Sequence, residues 1–127
     1  VPDDFIIATG EQHSVREFCE LAFADVGIDL EWNGTGAGEK GIAASVRVSG
    51  SQINPGDVVI QIDPRYFRPT EVETLLGNPG KARKILGWQS KIGFQTLIKE
   101  MVREDMRKAS RDTVCVNHGF NITNYNK

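Results

Sequence analysis

One five-residue run, Val58-Val59-Ile60-Gln61-Ile62, constrains the fold more than any other stretch. It is rich in β-branched residues, whose stiff side chains suit a pleated, half-buried surface, so it reads as a strand. Pro64 has no N–H to give a ladder, and Asp63-Pro64 ends the run. Upstream the chain is punctuated as short strands around one helix. Downstream it turns to loops and helices. The expected fold class is a small α+β domain.

Upstream, Phe5-Ile6-Ile7-Ala8, closed by Thr9-Gly10, reads as a buried strand. Ser14-Val15-Arg16-Glu17 matches a capping box, in which a serine caps a helix and a glutamate follows three residues on. Val15, Phe18, Cys19, Ala22, Phe23 and Val26 then recur on one helical face, and Gly27 stops the helix. Ile28 to Trp32 alternates as a second strand. Residues 33–41 read as glycine-rich loop, 42–48 as a weak strand and 49–56 as polar turn. Downstream, residues 72–76 fit a helical turn. Asn78-Pro79 before Lys81–Leu86 and Gly87 gives a short helix with Asn as cap, Pro at its first position and Gly past its end. Trp88 is placed to pack that helix down. Phe94, Leu97, Ile98, Met101, Val102 and Met106 mark a long amphipathic helix, with Arg107, Lys108 and Arg111 complementing its dipole. From Asp112 the chain reads as a polar, loose tail.

Composition excludes several functions. The chain has 127 residues, room for one domain with a modest core. A net charge of -2 gives no field for nucleic acid or an anionic membrane, so any bound anion must be held by a few placed cations. No apolar run is long enough to span a bilayer, and no basic-apolar leader opens the chain. The expectation is a soluble protein. Cys19 and Cys115 lack metal or redox spacing and a secretory context, and Cys19 falls on the inward helix face. The matches at Asn33-Gly34-Thr35 and Asn121-Ile122-Thr123 are expected to be chance sequons. Val1-Pro2-Asp3-Asp4 leads directly into a strand-like run without an initiator Met, as a cut through a longer polypeptide would.

Three features imitate sites. Gly34-Thr35-Gly36-Ala37-Gly38-Glu39-Lys40 brings its third glycine one residue too early for a dinucleotide fingerprint, and no helical period follows. Its Glu39-Lys40-Gly41 is not the Gly-Lys-Ser/Thr of a P-loop. It reads as a plain loop. His13 and His118 lie near no nucleophile or second ligand, and zinc would need more donors. The cations from Lys81 to Lys84 read as the wet face of a short helix.

The run Asp63-Pro64-Arg65-Tyr66-Phe67-Arg68-Pro69-Thr70-Glu71-Val72-Glu73 is different. It crowds arginines, aromatics and carboxylates into one loop. Guanidinium forks match phosphate oxygens, a carboxylate can accept both hydrogens of a vicinal diol, and Pro69 lowers the ordering cost of binding. An ion-pair cluster beside a core Tyr/Phe pair explains the same composition equally well, and both readings stand at this point.

Three blocks of this sequence resemble the GDP-mannose 4,6-dehydratase family, in order and in spacing. The first is Phe5–Glu11 with His13–Phe18, the second Asp63–Glu73, and the third Leu75-Leu76-Gly77-Asn78-Pro79 with Lys81-Ala82 and Leu86-Gly87-Trp88. The resemblance runs from Asp4 to about Arg111 and points to the C-terminal, substrate-binding portion, within the extended short-chain dehydrogenase/reductases that act on nucleotide sugars. It implies a domain over residues 1–115 that caps a Rossmann α/β domain, and a polar tail over 116–127. It places Arg68 on the diphosphate of GDP-mannose and Glu71 on the ribose, with Arg65, Tyr66 and Glu73 as further substrate contacts.

The chemistry implied is an internal redox dehydration: NADP oxidises the hexose at C4, water leaves across C5 and C6, and the hydride returns to C6. NADP would sit on an N-terminal Rossmann domain, and this chain is expected to hold no cofactor and no metal. The implied setting is cytoplasmic GDP-fucose biosynthesis by a homo-oligomer, with no nucleic-acid or membrane partner. The family's Tyr-x-x-x-Lys pair is absent here, since Tyr66 leads to Thr70 and Tyr125 stands two residues from the end. The chain alone is therefore expected to be inactive. A free-standing nucleotide-sugar-binding module, and part of a related GDP-sugar epimerase or reductase, are the alternatives.

Overall fold

The structure, a computed structural model, describes residues 2–70 and 74–122. Its centre is a three-stranded antiparallel sheet in the order β1-β2-β3, made of Ile28–Asn33, Lys40–Val46 and Val58–Gln61. The weak strand of the sequence is the middle one. Lys40-Gly41-Ile42-Ala43-Ala44-Ser45-Val46 has modest strand propensity of its own, but it pairs on both sides, and neighbours outweigh propensity in a sheet. Gly41 stands opposite Trp32 on β1 and Ile60 on β3. A Cβ there would lie 3.0 Å from Ile60 and 3.2 Å from the Trp32 ring, so glycine lets two large neighbours close over the central strand.

Helix α1, Val15–Asp25, packs on β1. Ser14 caps it as expected, its hydroxyl accepting the Glu17 N–H at 3.1 Å, and Gly27 follows its end with φ +83°. Val15, expected on the inward face, is 80% exposed instead. It sits in the first turn, ahead of the stretch that meets the sheet and the last helix. Helix α2, Gly80–Leu86, begins one residue later than expected. Pro79 is its cap residue, while the Asn78 side chain accepts the Gly80 N–H at 2.9 Å, and Gly87 closes the helix in the left-handed conformation. Helix α3, Phe94–Asn117, packs its first half on α1 and fully buries Ile98.

Three expectations are corrected. Phe5–Ala8 forms no strand, and Ile6 and Ile7 are both more than half exposed. Its apolar, β-branched character is real, but a strand needs a ladder, and among the described residues none lies beside it. The loose tail from Asp112 is helical as far as Asn117, because α3 continues without a breaker. Thr74–Leu76 belong to no regular element, and the rest of the expected turn, Val72 and Glu73, lies outside the described residues.

The core is small. Among the described residues Ile28, Ala43, Ala82 and Ile98 are its buried hydrophobic side chains, while Leu75, Leu76, Ile85, Leu86, Met101 and Met106 stand exposed. The accessible surface is 10583 Å². A folded monomer of 14.1 kDa exposes about 6,700 Å². The apolar pattern of this sequence exceeds what the fold itself covers. Among the described residues no helix is long and apolar enough to cross a membrane.

Candidate ligand loop

The loop after β3 is organised by Asp63. Its carboxylate accepts the Arg65 backbone N–H at 3.0 Å, its carbonyl accepts the Tyr66 N–H at 3.0 Å, and together these form a tight turn. The Arg65 guanidinium closes on the same carboxylate, with Nε at 3.1 Å from both oxygens and Nη2 at 2.6 Å from Oδ2. The side-chain bond from Arg65, then its backbone N–H, hold the Asp63 carboxyl below its ordinary pKa, and Asp63 in turn raises that of Arg65. Arg65 also lies over the Tyr66 ring, 5.5 Å from its centroid.

This geometry divides the five candidate residues. Arg65 is committed to Asp63, as the ion-pair reading expected. Tyr66 and Phe67 are no core pair: Tyr66 is 77% exposed and Phe67 40%. Arg68 is exposed and, among the described residues, has neither hydrogen bond nor ion pair. Glu71 and Glu73 lie outside the described residues. The loop thus offers a turn locked from within, an open aromatic and a guanidinium free to meet an anion. That combination can grip a phosphate and stack on an apolar ring.

The glycine run Gly34–Lys40 does not form a dinucleotide fingerprint. The 3-10 turn Gly36–Gly38 runs directly into β2, so no helix follows this run to face a pyrophosphate. Gly34 has φ +84°, and a Cβ there would lie 2.4 Å from the Gly38 carbonyl oxygen, so the glycines serve the turn itself. Among the described residues no cluster of His, Cys, Asp or Glu could hold a metal ion. Partial burial pushes the Cys19 thiol up, which suits a packing role.

Sequence reasoning missed two clusters. Arg16 lies over the Trp32 ring and pairs with Glu39, while the Trp32 indole N–H donates to Glu20 at 2.8 Å, so α1 is latched to β1 and the glycine turn. Around His13, Glu11, Glu17 and Phe94 converge. The i,i+4 spacing of His13 and Glu17 was the available signal. The contact with Phe94, distant in sequence, had none.

Comparison with known proteins places these observations. A family model described as GDP-mannose 4,6 dehydratase matches residues 1–101. The chain is 48% identical over 122 residues to a GDP-mannose 4,6-dehydratase of Vibrio cholerae, covering 95% of this chain and 33% of that protein. To GDP-mannose 4,6 dehydratase 2 of Caenorhabditis elegans it is 52% identical over 111 residues, 87% of this chain and 26% of the relative. To the GDP-mannose 4,6 dehydratase of Dictyostelium discoideum it is 48% identical over 105 residues, 83% and 27% respectively. The chain spans between a quarter and a third of the length of these curated relatives.

Proposed function

The chain belongs to the GDP-mannose 4,6-dehydratase family, and on that premise we propose that it is the C-terminal, substrate-gripping portion of such an enzyme. In this reading the parent is a cytoplasmic, NADP-dependent lyase that converts GDP-mannose to its 4-keto-6-deoxy product. Residues 1–115 form the substrate unit and 116–127 a polar C-terminal tail.

Arg68 holds the diphosphate, and Glu71, three positions on, takes the ribose diol. Tyr66 flanks the ligand. Arg65 acts through Asp63, keeping the turn rigid so that Arg68 is presented in place, and Glu73 is a further substrate contact. The observation that carries the reading is that the Arg68 guanidinium has no partner among the described residues, beside an arginine already committed to Asp63. An arginine left exposed by a turn that its neighbour stabilises is poised for an anion from outside.

Proton and hydride transfers belong to the rest of the polypeptide, a Rossmann domain that this unit caps, in a homo-oligomer. Two features support a neighbouring domain: the accessible surface exceeds that of a finished monomer by more than half, and the strand-like run Phe5–Ala8 has no ladder partner among the described residues. The test is turnover of GDP-mannose with NADP present. The full-length polypeptide forms the 4-keto product and the 127-residue chain forms none; product from the short chain would refute the reading.

A further inference from the structure

His13 stands where the loop from Thr9, the start of α1 and the start of α3 meet. Its ring lies flat on Phe94, with centroids 3.7 Å apart and planes 4° from parallel. Each ring nitrogen faces a carboxylate: Nδ1 is 3.1 Å from Glu17 Oε2, and Nε2 is 3.3 Å from Glu11 Oε2. A neutral imidazole carries one N–H and one lone pair, whereas an ionised carboxylate offers lone pairs alone. In the neutral ring one of these two contacts is repulsive. The doubly protonated ring donates to both and presents a cation to the face of Phe94.

We propose that the proton on His13 is a pin that fastens the Thr9–His13 loop and α1 to α3, so that this junction opens as the proton leaves. When it leaves, Glu11 is the carboxylate set free. Its contact is the longer of the two, and its side chain is 64% exposed. Glu17 stays, in the first turn of α1, where the helix dipole favours a negative charge. Glu11 also lines a cleft of about 220 Å³ together with Arg83 from α2 and Lys91 from the following connection, so two cations stand along the cleft it lines.

The charges around the ring do not all agree. Partial burial works against the charged form, as do the positive ends of α1 and α3. On the other side stand Glu17 and Glu11. Arg16, the next residue but two along, is turned away to Glu39, and α3 presents the uncharged Phe94. Desolvation is the largest single effect, yet the bonds to Glu17 and Glu11 together outweigh it, and His13 titrates above its ordinary 6.5. A raised value means that the stabilisation is complete below 6.5 and is lost as pH rises through the folded-state pKa.

The test follows exchange of the histidine C2 proton and of backbone amides by mass spectrometry across pH in the full-length polypeptide. His13 should reach half-exchange above pH 6.5, and Glu11→Gln should move that midpoint down. The first hydrogen-bonded amides of α1 and α3, from Phe18 and Leu97 onward, should lose protection through the same pH interval, beyond the intrinsic rise in exchange, and His13→Gln should abolish that pH-dependent loss. A His13 midpoint at or below 6.5, or a loss of protection that survives His13→Gln, overturns the proposal. Glu11→Gln keeps a carbonyl acceptor on an exposed side chain, so the titration arm stands even if His13→Gln fails to fold.

Discussion

Between Val15 and Gln61 every element has something to lie against: α1 covers β1, β1 pairs with β2, β2 pairs with β3, and Ile28 and Ala43 are buried between them. Between Ile62 and Ile92 the chain is just as apolar in places, yet Tyr66, Leu75, Leu76, Ile85 and Leu86 all face outward. The first region is closed by its own residues together with Ile98 of α3. The second is ordered locally, by Asp63 in the turn and by Asn78 and Gly87 at the ends of α2, and among its described residues buries the small Pro79 and Ala82 alone. The contrast separates two uses of hydrophobic residues, one for the fold and one for a surface still to be met. The ligand loop belongs to the second, which is where a site shared with another part of a polypeptide should lie.

The comparison can be broken by substitution. The largest expected effect on stability is at Ile98, the side chain that ties α3 to the finished region. Ile98→Ala should cost about 2–5 kcal/mol in denaturant unfolding, because it leaves a cavity at a fully buried position. Next comes Gly27→Ala, which forces a Cβ into a left-handed residue and to 2.6 Å from Val48, and should cost at least about 1–2 kcal/mol. The smallest is Leu75→Ala. At 87% exposure it should change the stability of the 127-residue chain by no more than about 0.5 kcal/mol. In the full-length polypeptide the same change should cost several-fold more, if Leu75 meets a covering surface there. Equal effects in both forms would erase the distinction between the two regions.

Much of the fold was legible because its signals are local. Ser14 as a cap, Gly87 at the end of α2, and the β-branched run before Asp63 each act through neighbours in the chain, and each stands where the sequence puts it. What was illegible depends on contacts distant in sequence. Lys40–Val46 looks weak and becomes the central strand through its two partners, while Phe5–Ala8 looks strong and pairs with nothing among the described residues. The candidate loop was legible as a dense run of charge and aromatics, but composition could not say which arginine was taken. The geometry around Asp63 divides them: Arg65 is bound within the turn, and Arg68 has no partner among the described residues.

Arg68 is therefore the place to test the account, by calorimetric titration of GDP-mannose into the full-length polypeptide and its Arg68→Ala variant. A charge-assisted bond to the diphosphate predicts affinity weaker by about 1.5–3 kcal/mol, roughly ten- to a hundredfold or somewhat more. An unchanged dissociation constant in a variant of unaltered stability would contradict the assignment of this loop to the nucleotide sugar.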